Sequence, residues 1–263
     1  MTKSEQQKLL KLACELARST GKILSTGFHK SMKVKFKGRI DPVTEYDLKA
    51  EEHIVSGIRS KYPDHDLLTE EGKAITRKSD ICWIVDPLDG TVNFSHGFPV
   101  YCVSIGVECE GKIIAGAVYD PERDELFHGL EGSGSFVNKK RLAVSSTRRL
   151  ERALLATGFA YDIGTAKRNN LGLFARMAKQ AQGIRRPGSA AIDLCWTAAG
   201  RLDGFWELKL HPWDSAAARL IVEEAGGLVS RIDGSPYSVY DDDILAANRH
   251  LHRAMSQVLT SKQ

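Results

Sequence analysis

The stretch Trp83-Ile-Val-Asp-Pro-Leu-Asp-Gly-Thr-Val-Asn-Phe94 runs an apolar segment into two aspartates three residues apart, followed at once by Gly-Thr. Like charges that close repel unless a cation lies between them. Pro87 fixes its own φ and cannot extend a β-ladder, so the strand is expected to stop there. Gly90 permits a tight bend. Such a turn points the carboxylates of Asp86 and Asp89 to one side and exposes the carbonyl of Leu88 and the amides of Gly90 and Thr91. Carboxylates and a carbonyl are hard oxygen ligands suited to Mg²⁺, and free amides suit a phosphate oxygen. The plain alternative is a Pro-Asp-Gly turn with no such role.

Outward from this stretch the chain reads as mixed α and β. Hydrophobic residues make up 42% and charged residues 27% of 263 residues, ordinary for a globular protein. The net charge of +4 reads as positive charge spread along the chain, which argues against direct nucleic-acid binding. Five cysteines without a CxxC pair argue against a zinc site or disulfide framework and for a reducing compartment. The N-terminus is too polar for a signal peptide, no apolar run approaches a membrane span, and a cytoplasmic location is expected. Helices are expected over 4–28 and 44–61, an edge strand at 33–37, and strands at 66–69 and 81–85. A hairpin is expected at Glu110-Gly111-Lys112, with further strands through 138. After residue 150 strands and helices alternate, with helices over 166–181, 189–200 and from Asp214, and a last one from about His250. The reading is one catalytic unit in two parts, an antiparallel-rich 1–145 and an α/β 146–263.

Other acids join the first pair. Glu70 and Glu71 end the apolar run LLTEEG, although adjacent glutamates are usually solvated. Asp214 stands where a helix is expected to begin, and the bland reading is an N-cap. Trp213 and the small Ala216 and Ala217 point instead to a buried helix start, where a carboxylate needs a partner. Thr44 and Asp47 have capping-box spacing; the sharper reading makes Asp47 a proton acceptor.

Together Asp41-Pro-Val-Thr44-Glu-Tyr-Asp47, Thr69-Glu70-Glu71, Trp83 to Phe94, Gly188-Ser-Ala-Ala191 and Trp213-Asp214-Ser-Ala216 resemble the inositol monophosphatase family over nearly the whole chain. The resemblance implies an α+β fold, a layered αβαβα sandwich, and a homodimer. It implies a lithium-sensitive phosphatase using two or three Mg²⁺ per subunit. Glu70, Asp86 and the Leu88 carbonyl would hold the first ion. Asp86, Asp89 and Asp214 would hold the second, and a third would use Glu70 through waters. Glu70 and Thr91 would place the attacking water, with Asp47 helping to remove its proton. Gly90 and Thr91 amides would bind phosphate, and Ser189, Ala190, Glu207 and Asp214 would meet the substrate.

Arg185 and Arg186 are weighed as anion binders against plain solvated charges, and Asp193 as a core hydrogen-bonder. His211 is read as packing, and Lys35 and Lys37 as solvated strand charges near a loop the family folds over its metals. The expected substrate is inositol 1-phosphate or a similar polyol phosphate. The alternatives are fructose 1,6-bisphosphate, histidinol phosphate, NADP⁺ or 3′-phosphoadenosine 5′-phosphate. A reading of another class is a regulatory binding protein associated with RNA polymerase. No membrane partner is expected.

Overall fold

A computed structural model describes residues 1–28, 30, 33–38, 40–72 and 74–261. Helix α1, Lys3–Phe28, buries Leu9, Leu12, Leu16 and Leu24 along one stripe. A small hairpin follows, β1 (Val34–Phe36) against β2 (Pro42–Thr44). Thr44 then caps α2, Glu45–Lys61. Strands β3 (Asp66–Thr69), β4 (Ile81–Asp89), β5 (Cys102–Cys109), β6 (Lys112–Asp120), β7 (Glu125–Leu130), β8 (Gly134–Val137) and β9 (Lys140–Arg141) lie side by side in chain order as a seven-stranded sheet. Only β3 and β4 run parallel. The turn at Glu110-Gly111 takes positive φ at both residues, 50° and 78°, as the expected hairpin requires.

A second sheet has five strands in the order β11-β10-β12-β14-β13. They are β10 (Leu154–Thr157), β11 (Gly183–Arg185), β12 (Gly204–Leu208), β13 (Leu228–Ser230) and β14 (Asp243–Ala247). Helices α5 (Ala190–Ala198) and α6 (Pro212–Glu224) fill the space between the sheets. Helices α1 and α2 cover the outer face of the first sheet. Helices α4 (Leu171–Ala178) and α7 (Arg249–Thr260) cover the outer face of the second. The short α3, Thr91–Ser95, follows β4. The order is α, β, α, β, α, an α+β sandwich as expected.

Helix α6 packs directly on the first sheet because the facing residues, Gly106 and Gly116 against Ala216 and Ala217, carry little or no side chain. A Cβ on Gly116 of β6 would come 2.5 Å from the Ala217 carbonyl oxygen, and one on Gly106 of β5 would come 2.9 Å from the Ala216 Cβ. The small residues after Asp214 therefore do permit close packing, and that contact fixes where α6 begins relative to β4.

The elements differ from expectation in four places. Strand β4 does not stop at Pro87 but runs to Asp89. From Asp86 to Asp89 the strand takes three steps while β5 takes two, Ser104 to Cys102. Pro87 sits in this bulge, where a residue need not pair. Helix α6 starts at Pro212, a favoured first helical residue, so Asp214 is the third residue and not the N-cap. Helix α4 begins at Leu171 rather than 166. Asn170 instead spends its side chain on Thr157 Oγ1, the Gly158 carbonyl and Trp206 Nε1. Strands β2, β9 and β11 and helix α3 had no signal in the apolar periodicity.

Candidate active site

The end of β4 opens into a cavity of about 590 Å³ between the sheets. Gly90, with φ 97°, makes the corner. A Cβ there would meet the Val100 carbonyl oxygen at 2.9 Å as well as being strained by the backbone. Beyond the corner Thr91 opens α3 with its hydroxyl turned back, 3.0 Å from the Leu88 carbonyl and 3.1 Å from Asp47 Oδ1. The parallel pairing of β3 with β4 brings Glu70, whose amide donates to the Val85 carbonyl at 3.3 Å, beside Asp86. Asp214 arrives from the first turn of α6, and Asp89 from the far side of the bulge. Glu70, Asp86, Leu88, Asp89, Gly90 and Thr91 all line the cavity, with Ser189, Ala190, Glu207 and Asp214.

The acids share a design. Asp86 Oδ1 accepts the Leu88 amide at 2.9 Å. Asp214 Oδ2 accepts the His211 amide at 2.6 Å. Asp89 Oδ2 accepts the Ser189 hydroxyl at 2.7 Å and the Ala191 amide at 2.8 Å. In each, the second oxygen has no hydrogen bond among the described residues and is not sealed off from the cavity. One oxygen fixes the side chain to the backbone, and the other is left for a ligand. Asp47 divides its oxygens too: Oδ2 accepts the Thr44 amide and hydroxyl at 2.7 and 2.5 Å, closing the capping box, while Oδ1 faces Thr91. The capping-box reading of Asp47 holds, and its other oxygen is left facing Thr91. It is fully buried and stands behind the cavity wall, reaching it through Thr91.

Electrostatics set this cluster apart from an ordinary polar surface. Burial, then the charges of Glu70, Asp89 and Asp214, pushes the Asp86 carboxyl well above the usual carboxylate range. Asp214 is pushed the same way by burial and by Asp89, and Asp89 by burial. Burial lifts Glu70 to about 7, although Lys37 opposes the shift. Lys37 is not a solvated strand charge. Its Nζ lies 3.0 Å from Glu70 Oε1 and 2.5 Å from Glu71 Oε1, so the β1–β2 hairpin places a cation against the acids.

The donor set suits a divalent metal by its chemistry rather than by a ready-made cage. Among the described residues no three His, Cys, Asp or Glu side chains form a preformed metal cage. The chemistry nonetheless fits: carboxylates with open oxygens, a main-chain carbonyl, no sulfur or imidazole, and more negative charge than Lys37 balances. Hard oxygen donors of this kind suit Mg²⁺.

The opposite wall holds Glu207, Asp193 and Arg186. Glu207 is buried on β12, and burial pushes its carboxyl up to about 8 against the pull of Arg186. Asp193 is buried on α5 with Oδ1 unpartnered, so it is not the core hydrogen-bonder weighed from sequence. Arg186 lines the cavity and Arg185 does not. His211 lines the cavity while stacking on Trp213 at 4.9 Å, which agrees with a packing role. Sequence reasoning gave no part to Asp41, to the loop Phe159–Asp162, or to Lys209, which line the cavity as well. Lys209, with φ 63°, pairs with Asp162 at 2.5 Å. Asp41 could have been suspected from its place in the segment ending at Asp47; the loop has no sequence signal.

Residues 5–263 match the inositol monophosphatase family. The chain is 43% identical to the inositol-1-monophosphatase of Synechocystis sp. over 260 residues, 98% of this chain and 91% of that protein. It is 41% identical to the Nus factor SuhB of Pseudomonas aeruginosa, across 95% of this chain and 94% of that one. Among solved structures, the extragenic suppressor protein suhB of Bartonella henselae superposes with a TM-score of 0.92 at 39% identity, covering 97% of this chain and 100% of that chain. Eight acids around one cavity, in a sandwich shared over nearly its whole length with these relatives, leave one conclusion: the chain belongs to the inositol monophosphatase family.

Proposed function

We propose that the protein is a Mg²⁺-dependent phosphomonoesterase that hydrolyses inositol 1-phosphate and related polyol monophosphates to the alcohol and inorganic phosphate. The observation that carries this reading is the convergence of Glu70, Asp86, Asp89 and Asp214 on one cavity, three of them with an open oxygen. Glu70, Asp86 and the Leu88 carbonyl would hold one ion. Asp86, Asp89 and Asp214 would hold a second, and Glu70 would serve a third through waters. Bound there, such ions neutralise the phosphate and lower the pKa of a coordinated water.

The chain's own groups do the rest. The first-turn amides of α3 at Gly90 and Thr91 have no intrahelical acceptor and would bind phosphate oxygens. Thr91 Oγ1 would accept a hydrogen bond from the attacking water while donating to Asp47 Oδ1. Asp47, raised by burial, would thereby receive the proton load through Thr91. Thr91 is not the nucleophile in this reading, because its hydroxyl is turned back onto Asp47 Oδ1 and the Leu88 carbonyl and serves to position the water. Glu207 would accept from the alcohol's hydroxyls, beside Ala190. Ser189 would act mainly by holding Asp89, since its hydroxyl is already given to that carboxylate.

Phosphate release from inositol 1-phosphate is expected to vanish in excess EDTA and return with Mg²⁺. Activity undiminished in EDTA would overturn the mechanism. A panel ranked by kcat/KM, including fructose 1,6-bisphosphate, histidinol phosphate, NADP⁺ and 3′-phosphoadenosine 5′-phosphate, separates the substrates. Li⁺ at about millimolar concentration is expected to inhibit by competing for the same hard oxygen sites. A homodimer is expected in light scattering. A second reading is favoured by the relatives named Nus factor SuhB: a role in binding RNA polymerase. Retention of polymerase by Asp89→Asn, with phosphatase turnover lost, would separate the two roles.

A further inference from the structure

The net charge of +4 hides a segregation. Residues 139–152, 166–186 and 244–261 carry fourteen of the 37 Lys and Arg but only one of the 33 Asp and Glu, Glu151, so the rest of the chain has nine more acids than bases. The positive charge is not spread along the chain, as composition alone implied.

The fold brings much of this charge to one face. Leu150, Leu173, Phe174, Leu251, Met255 and Val258 pack as one apolar cluster on the second sheet, so the segment before β10, helix α4 and helix α7 share the outermost layer. Asn248, which caps α7, donates to Ser145 Oγ at 3.0 Å and to the Thr147 carbonyl at 2.9 Å. That joins the first turn of α7 to the run Arg148, Arg149 and Arg152. Arg176 of α4 donates to the carbonyls of Val258 and Leu259 at 3.1 and 2.7 Å, joining α4 to the far end of α7. A groove of about 440 Å³ runs between the three, from Leu150 past Ala254 and Gln257 to Lys179.

Arg148, Arg149, Arg152, Lys179, Arg249 and Arg253 are all exposed. Only Arg149 has an ion-pair partner among the described residues, Glu151. Helices α4 and α7 contain no acid. Six unpaired or nearly unpaired cations on one layer repel one another, and an anionic partner relieves that.

We infer that the α4–α7 face is a docking surface for the phosphodiester backbone of a nucleic acid. An acidic protein is the poorer fit. Protein interfaces are centred on apolar and aromatic residues, whereas of the large exposed apolar side chains only Leu171, the first residue of α4, belongs to these elements, and it is not aromatic. Arginine dominates, as it does where phosphate is read by planar donors. With no exposed aromatic among them, the face offers no platform for bases, so recognition is through the backbone and independent of sequence. None of the six lines the catalytic cavity, so this binding stands apart from the phosphatase reading.

The test uses the full chain and labelled 20-nucleotide RNA and DNA strands of one sequence, followed by fluorescence anisotropy from about 50 to 200 mM salt. Both strands are expected to bind comparably, with affinity falling steeply as salt rises. The variant Arg148→Glu/Arg152→Glu/Arg249→Glu/Arg253→Glu should bind at least about tenfold more weakly. Its log–log salt slope should be shallower by about 3, from four lost contacts at about 0.7 each. The variant Lys8→Glu/Lys11→Glu on α1 should match the unaltered protein, and both should keep phosphatase turnover, which reports that they fold. The quadruple alanine variant should lose affinity in the same direction. No binding at the lowest salt, equal binding by the quadruple variants, or displacement of RNA as efficient by poly-glutamate of equal charge would each overturn the inference.

Discussion

Asp89 shows how a single side chain can hold the fold with one oxygen and leave the other for the proposed site. Its Oδ2 holds Ser189 and the start of α5, while the other oxygen stays open. Asparagine keeps the shape and one acceptor oxygen but removes the charge. Asp89→Asn is therefore expected to lower turnover by about 10²-fold or more with a near-native melting curve. A rate close to normal would remove Asp89 from the site. Glu207 gives a prediction of another kind. Its carboxyl titrates near 8 in the fold against 4.5 in an unperturbed chain. Between those values the folded protein binds the proton and the unfolded chain does not, so this group's contribution to stability is fully present below about pH 4.5 and is lost as pH rises towards 8. Glu70, raised to about 7, adds the same sign over its own window. Thermal melts of EDTA-treated protein should show Tm falling from pH 5 to 8, and Glu207→Gln should flatten the fall. An unchanged slope would mean that Glu207 ionises normally.

At the level of elements, the turn after β4 rests on one residue. Gly90→Ala places a Cβ against the Val100 carbonyl in a left-handed backbone. A destabilisation of about 1–3 kcal/mol is expected, with kcat reduced because the Gly90 and Thr91 amides shift. A melt and a kcat both within error of the parent would refute that role. The strands were legible where alternation or turn chemistry was strong: Asp66–Thr69 lies where the sequence put it, and Glu110-Gly111 turns as expected. The passage of β4 beyond Pro87 was not legible, because a bulge depends on the partner strand and not on the strand's own residues. The start of α6 was legible and misread, since Pro212 is a favoured first helical residue. The length of α4 was illegible because Asn170 is claimed by Trp206 and Thr157, contacts with the sheet beneath it that are distant in sequence.

For the whole molecule, the acids at the junction of the two sheets repel one another and outnumber the bases, Lys37, Arg186 and Lys209, that line the same cavity. An ion binding only the folded chain stabilises it by mass action. Millimolar Mg²⁺ is expected to raise Tm by several degrees, at about 2–4 °C per kcal/mol for a chain of this size, and Asp89→Asn should blunt the rise. An identical Tm with and without the ion would argue against a divalent site at the junction. The acids of the proposed metal site could be picked out in the sequence because turn chemistry and charge crowding mark them locally. The Phe159–Asp162 wall could not, since only the packing of the two sheets brings it over the cavity. The basic outer layer was present in the sequence but hidden by averaging, because its three segments meet only in the fold.

Gly106 and Gly116 touch no ligand, yet they set the spacing between α6 and the sheet. The reach from Asp214 to Asp86 is thus gauged by a seam of bare backbone, roughly as a shim sets the gap of a hinge. A genetic screen for inactive but well-expressed protein should return substitutions along that seam as well as at the acids themselves. A mutation map drawn from chemistry alone would miss them.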